Sequence, residues 1–393
     1  MVKLTQVFAK RMDGLGTETA FEVLAKAKAL EKQGRSIIHL EIGEPDFDTP
    51  SNIKEAAVKA MKAGYTHYVP AAGIPELRAA IAEYLSKSRG INVDPDEVVV
   101  TPGAKPIIFF SILALVESGD EVLYPNPGFP IYESMVNFVG AKPVPMPLKE
   151  ENDFAINNDD TADKITKKTK MIILNSPENP TGGVLTKENL EVIADRIKGR
   201  DDVLVLTDEV YNESVYEGKH LSIASLPEMK DKTILLDGFS KTYAMTGWRL
   251  GYAAMRKDLA QKVAQLMINS NSCTCAFTQM AGVEALRGPQ DEAKRFVEEF
   301  RRRREVIVDG LNKIKGITCK KPRGAFYVFP NVNSFGIEAK KIADHILQDA
   351  GVAVLSGTAF GSYGEGYLRL SFANSVENIK KAMERISESV KKL

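Results

Sequence analysis

The sequence predicts an α/β fold, a mostly parallel central sheet sandwiched by helices, joined to a smaller α+β domain. Two observations carry this expectation. Short β-branched apolar runs alternate with amphipathic helical stretches through the middle of the chain, the pattern of a sheet covered on both faces. Five clusters of polar residues fall just after five of those runs, where such sheets gather ligand contacts at the carboxyl ends of their strands. The length, 393 residues, is enough for two or more units with cores of their own.

The elements follow in order. A helix is expected over about 18–33, then a short strand at Ile37-Ile38-His39-Leu40 and a turn-rich loop, Gly43-Glu44-Pro45-Asp46-Phe47-Asp48-Thr49-Pro50. Val98-Val99-Val100 precedes a helix over 105–117, and Glu121-Val122-Leu123-Tyr124 precedes one over 131–139. Met171-Ile172-Ile173-Leu174 leads through a loop to a helix from Lys187, and Val203-Leu204-Val205-Leu206 and Ile234-Leu235-Leu236 complete the series. A long charged helix is expected over 290–314, then strands at 325–330, 352–355 and 367–372 and a final helix. Residues 50–290 are assigned to the large domain, and 1–49 with 291–393 to the small one.

Composition narrows the class. Lys plus Arg (52) equals Asp plus Glu (52), so no net charge draws the chain to nucleic acid or an anionic membrane. Three cysteines, Cys273, Cys275 and Cys319, form no disulfide framework and lack zinc-ligand spacing, which points to a reducing cytoplasm and no metal. The start, Met1-Val2-Lys3-Leu4-Thr5-Gln6, has no apolar signal core. The Arg301–Arg304 run follows Glu298-Glu299 and is expected to pair with those acids or face solvent.

The five strand-end clusters carry the chemistry. Thr101-Pro102-Gly103-Ala104-Lys105-Pro106 opens a helix whose free N–H groups suit an anion, although an ordinary strand-to-helix turn reads the same way. Phe129 could stack on a flat ring or fill a core. Asn179, in a turn with Pro180, Thr181 and Gly182, could offer an amide or simply shape the loop. Asp208 ends an apolar strand, where a carboxylate needs a partner; Tyr211 follows one helical turn on. Lys241 follows the fifth strand in a small-residue, aromatic setting with Ser240 beside it and Arg249 downstream. A sheltered lysine can attack an aldehyde to form a Schiff base, and a serine and arginine can hold a phosphate. A cofactor with both groups is pyridoxal phosphate, whose ring nitrogen Asp208 could keep protonated. Singly these signals are weak; five in order are a strong one.

With these residues in view, the chain resembles the fold-type I pyridoxal-phosphate aminotransferases of class I/II, in particular the prokaryotic and archaeal aspartate aminotransferases. The likeness rests on Gly43-Glu44-Pro45-Asp46-Phe47, Tyr68 to Gly73 with Pro75-Glu76-Leu77-Arg78, Asn179-Pro180-Thr181-Gly182, Asp208-Glu209-Val210-Tyr211, Ser240-Lys241 to Arg249, and Leu368-Arg369-Leu370-Ser371-Phe372. The resemblance implies that Lys241 is the Schiff-base lysine and the proton carrier of a ping-pong reaction. It implies that Asp208 pairs with the pyridine nitrogen, that Tyr211 and Asn179 bond the phenolate oxygen, and that Phe129 stacks on the ring. Gly103, Ala104, Ser240 and Arg249 would hold the phosphate, with Lys105 beside them and Tyr68 reaching in from the partner subunit. Arg369 would take the substrate α-carboxylate, helped by Asn179 and Gly43. The family forms homodimers with shared active sites.

Substrate choice is less legible. Lys105 matches the position where similar aspartate aminotransferases meet the side-chain carboxylate, which favours aspartate and glutamate with 2-oxoglutarate as acceptor. Glu18 is expected as a first-turn helix acid facing solvent, with neutralisation of Lys105 as the alternative. A broad or aromatic aminotransferase, or a carbon–sulfur lyase on the same scaffold, stays open.

Overall fold

The structure, a computed structural model, describes residues 7–393; the opening residues 1–6, read above as lacking a signal core, lie outside them. In chain order the strands are β1 (Ile38–His39), β2 (Val98–Thr101), β3 (Glu121–Asn126), β4 (Lys142–Pro147), β5 (Thr169–Asn175), β6 (Leu204–Asp208), β7 (Thr233–Gly238), β8 (Gly251–Ala254), β9 (Tyr327–Val328), β10 (Val352–Ala353), β11 (Leu355–Ser356) and β12 (Leu368–Ser371). Seven of them form the central sheet in the order β2-β8-β7-β6-β5-β3-β4. All run the same way except β8, which is antiparallel to β2 and β7.

The strands of this sheet are apolar because both faces are covered. Val99, Val122, Ile173, Leu206 and Leu236 point to one side, against helices Lys105–Leu115, Ile131–Phe138 and Lys257–Ser270. Their neighbours Val98, Val100, Leu235 and Tyr252 point to the other, against helices Pro75–Arg89 and Ala276–Arg287. Each strand therefore reads as an unbroken apolar run, although its side chains alternate faces.

Two strands escape the sequence pattern. The edge strand β4 is Lys-Pro-Val-Pro-Met-Pro, and proline normally argues against a strand. Here Pro143, Pro145 and Pro147 recur every second residue, so their missing N–H groups all fall on one side, which an edge strand can leave unpaired. The antiparallel β8 is short and rich in small residues, and it packs where Ala104 comes close to Gly251. The single run expected at 352–355 splits: β10 pairs with β1, and β11 pairs with β12.

A separate core gathers both ends of the chain. Ile38 and Leu40 pack with Phe300, Ile307, Leu311, Phe326, Val354, Leu370 and Ile386. Helix Asp291–Asn312 turns Phe300, Ile307, Val308 and Leu311 inward. Arg303 and Arg304 share that face and are buried, a correction to the expectation that the arginine run pairs only with its neighbours or faces solvent. Arg303 bonds Asp46 at 2.6 Å and Glu299 at 2.9 Å, and Arg304 donates to the Pro322 carbonyl at 2.9 Å. Arg301 and Arg302 do pair with Glu298 and Glu299.

Beneath the sheet's carboxyl edge lies a buried ionic cluster. Arg89 donates to Glu209 at 2.8 Å and to Asp237 at 3.0 Å, Asn212 bonds Asp237 at 2.8 Å, and His220 contacts Glu209 at 2.9 Å. Arg89 joins Pro75–Arg89 to β6 and β7, the two strands that end in Asp208 and Gly238. Removing one member strands the others as uncompensated buried charges. Arg89→Ala is expected to lower stability by about 3 kcal/mol, measured by denaturant unfolding.

Among the described residues, no helix is long and apolar enough to cross a membrane, and no group of three or more His, Cys, Asp or Glu side chains is placed to hold a metal ion.

Candidate active site

Strand ends meet in one cavity of about 570 Å³. It is lined by Gly43, Ala104, Lys105, Phe129, Asn179, Asp208, Tyr211, Ser240, Lys241, Arg249 and Arg369, which brings eleven of the thirteen sequence-predicted site residues together. Gly103 lies directly behind. It adopts a φ of +88°, and a Cβ there would fall 2.2 Å from the Arg249 guanidinium, so only glycine lets that arginine reach the strand end. Tyr68 does not line the cavity; the residue is 90% exposed on this chain.

Lys241 sits one turn past β7, in the short helix Phe239–Thr242. Its Nζ donates to the Gly43 carbonyl at 2.6 Å and lies about 6 Å from the Tyr211 and Phe326 rings. Desolvation pushes its pKa down to about 8, with the nearby cations Arg369 and Arg249 adding to the fall and Glu44 opposing it. A lysine so placed releases its proton far more readily than a solvent-facing one and is half neutral at about pH 8.

Asp208 ends β6 and is buried. Its carboxylate accepts from the Tyr132 hydroxyl at 2.8 Å and from the Val210 N–H at 3.3 Å. Burial nonetheless raises its pKa to about 6, against those two bonds. A carboxylate pushed up this far wants a cation, and Lys241 is too weak a one to hold it fully down.

Arg369 leaves β12 and is buried between the Tyr327 and Phe360 rings, at 4.6 and 5.0 Å. It donates to Asn179 Oδ1 at 3.3 Å and to the Glu41 carbonyl, while its Nε has no partner. A guanidinium that lines an open cavity and keeps N–H donors beyond the two engaged by Asn179 and Glu41 is shaped for a planar carboxylate. Gly43 again permits the arrangement, since a Cβ there would strike the Tyr327 hydroxyl at 2.1 Å.

Arg249 has a left-handed backbone, φ +52°, unusual for a residue with a side chain and a mark of a functional position. Its guanidinium closes a cradle with Ser240 and Ala104, the residue that opens helix Lys105–Leu115. Helix N–H groups, a hydroxyl and a guanidinium converging at one end of a cavity make an anion site.

Lys105 and Glu18 correct the expectation for the mouth. Glu18 is not a freely solvent-facing acid; its side chain is only partly exposed. It is the residue before helix Thr19–Lys32, and its carboxylate bonds Lys105 Nζ.

Three contributors were missed from sequence. Tyr132 holds Asp208; its place in a strand-end loop cluster beside Phe129 was the available signal. Tyr327 bonds the Tyr211 hydroxyl at 2.7 Å from 116 residues away, and nothing local marks it. The Glu41 carbonyl orients Arg369 through the backbone alone.

A lysine with a lowered pKa, an anion cradle and a buried arginine at the carboxyl end of a parallel sheet make a site suited to the chemistry of amino acids. The chain belongs to the family of aminotransferases of class I and II, whose model matches residues 35–386. It is 44% identical over 360 residues to the aspartate aminotransferase of Pyrococcus abyssi, covering 90% of this chain and 92% of that one. It is 42% identical over 359 residues to aromatic-amino-acid aminotransferase 2 of Thermococcus litoralis, with 90% and 92% covered. Among solved structures, the aspartate aminotransferase of Thermus thermophilus with maleate superposes with a TM-score of 0.92 at 38% identity, over 97% of this chain and 99% of that one.

Proposed function

We propose that the protein is a pyridoxal-phosphate aminotransferase that moves the amino group of an L-amino acid, aspartate and glutamate favoured, to a 2-oxo acid such as 2-oxoglutarate. The observation that carries this is the sharing of one cavity by a near-neutral lysine, Lys241, and a buried arginine with an unclaimed N–H, Arg369. The cavity's 570 Å³ is of the size that small-ligand sites take, and its donors suit the cofactor group by group. Ala104, Ser240 and Arg249, with Gly103 making room, would hold the phosphate. Phe129 would cover the ring, Asp208 would pair with its nitrogen, and Tyr211 and Asn179 would meet its phenolate oxygen. With Oδ1 engaged by Arg369, Asn179 offers its Nδ2.

When bound, pyridoxal phosphate supplies an aldehyde that condenses with amines and a cationic ring that absorbs the electron pair left at the substrate's α carbon. The chain does the rest. Arg369 fixes the α-carboxylate and so aims the α C–H bond. Lys241 Nζ, neutral once released, takes the α proton; its lowered pKa makes it a base at working pH. Asp208 keeps negative charge beside the ring nitrogen, with Tyr132 preventing its rotation.

Aspartate preference is supported by Lys105 on the cavity wall and by the aspartate aminotransferases among the relatives. A broad or aromatic specificity is the second reading. It is favoured by the Glu18 carboxylate on Lys105 and by the aromatic relative at nearly equal identity. Lys105→Ala is expected to lower kcat/KM for aspartate about 10- to 100-fold, the worth of a charge-assisted hydrogen bond, and that for phenylalanine much less. Equal losses would remove Lys105 from substrate choice.

The two-domain division belongs to the same reading, supported by the separate core that joins both chain ends. So does the homodimer, supported by the outward-facing Tyr68, and a cytoplasmic home, supported by three free thiols.

The test is a panel of amino donors with 2-oxoglutarate, following the change in cofactor absorbance. If no donor alters the cofactor spectrum, the proposal fails.

A further inference from the structure

We infer that Glu18 sets side-chain specificity by exchange: it occupies Lys105 when the bound substrate has an uncharged side chain, and yields Lys105 to the distal carboxylate of a dicarboxylic one. The inference rests on the aminotransferase reading. Such an enzyme binds two different amino acid and oxo acid pairs in turn at one site. A site that serves both an uncharged donor and a dicarboxylic acceptor must show a cation to one and hide it from the other.

The pair is placed to do this. Glu18 and Lys105 line the main cavity and also an adjoining cleft of about 310 Å³, so they stand at the boundary between the two. Their side chains are 25% and 42% exposed. An ion pair that wet is weakly held, so a substrate carboxylate can displace Glu18 without a large cost. Charge stays balanced in both states: one carboxylate leaves the ammonium as another arrives. Were Glu18 absent, an uncharged side chain would lie against an uncompensated cation, relieved only by the Phe129 ring 5.1 Å away.

Glu18 is also free to swing. It occupies the N-cap position of helix Thr19–Lys32, yet its side chain makes no cap hydrogen bond, so leaving Lys105 unwinds nothing. Once released, it remains beside the positive end of that 14-residue helix, a favourable place for an anion. The backbone just before it is tethered, the Gly16 N–H donating to Ser134 Oγ at 2.8 Å. Exchange is therefore a side-chain rotation.

The test is Glu18→Gln in the holoenzyme, alone and on Lys105→Ala. Succinate, a dicarboxylate with no amine to transfer, is the probe, with its affinity read by calorimetry. Removing the competitor is expected to tighten succinate about three- to fivefold, the scale of an exposed pair. KM for aspartate should fall similarly, while KM for phenylalanine rises. On Lys105→Ala the Gln substitution should no longer tighten succinate. Unchanged succinate affinity, shifts of one sign for both amino acids, or an effect that survives Lys105→Ala would each overturn the exchange. Failure of the aminotransferase reading is distinct: the wild-type protein would then turn over no donor, while succinate binding would still report on the pair.

Discussion

Lys241→Ala is expected to abolish amino transfer, by about 10⁴-fold or more, because in the proposed reaction one side chain is both the covalent anchor and the base. The cofactor should still bind through the cradle of Ala104, Ser240 and Arg249, but without a borohydride-reducible link to the protein. A second readout needs no catalysis. In the cofactor-free protein, desolvation lowers the Lys241 pKa from 10.5 to about 8. The unfolded chain therefore binds more protons between those values, and stability attributable to this group rises as pH climbs from 8 to 10.5. Below 8 the whole penalty stands. Lys241→Met apoprotein should thus be more stable than wild type at pH 7, by about 1–3 kcal/mol, the lower end because the side chain borders an open cavity. The advantage should shrink toward pH 10.5. A variant that keeps full transamination would sink the assignment. An apoprotein difference that does not fade with pH would deny Lys241 its depressed pKa.

That lysine was legible because two local signals coincide: an apolar strand that ends, and a reactive side chain just beyond it. Asp208 and Asn179 were legible for the same reason. A parallel sheet turns sequence order into spatial convergence, since each strand delivers its last residues to one edge. What was hidden depends on contacts without a local mark. Lys241 meets the Gly43 carbonyl across 198 residues of chain and Tyr211 meets Tyr327 across 116. The Glu18–Lys105 pair spans 87; the sequence offered it only as the alternative, behind the solvent-facing acid that a glutamate before a helix resembles. Strand β4 was hidden by its prolines, whose every-second-residue spacing makes sense only once the strand lies at a sheet edge. Arg303 and Arg304 were hidden by charge, although their spacing from Phe300 and Ile307 puts them on the inward face.

Asp208→Asn is expected to lower kcat about 10²- to 10⁴-fold, the range that a removed buried charge partner spans. Asparagine keeps the shape and can still accept the Tyr132 hydroxyl, so a loss of this size would be due to charge. Asp208→Glu should recover part of it. The pH dependence separates this role from a structural one. Without the cofactor, burial raises Asp208 from 3.8 to about 6 despite the nearby Lys241. The folded apoprotein then binds more protons than the unfolded chain between those values. Stability from this group is present below 3.8 and is lost as pH rises through 6. Wild-type apoprotein should therefore lose ground to Asp208→Asn between pH 4 and 7. A pyridinium beside the carboxylate reverses the balance, because an opposite charge at contact favours the ionised form. Adding pyridoxal phosphate should abolish or invert the trend, making wild type the more stable protein at pH 7. Melting temperatures of both proteins at pH 4.5 and 7.5, with and without cofactor, read the effect directly. If the cofactor shifts both proteins equally at both pH values, Asp208 does not face a cation. Its partners would then be the Tyr132 hydroxyl and the Val210 N–H alone, and the charge role proposed for it at the ring nitrogen would fall.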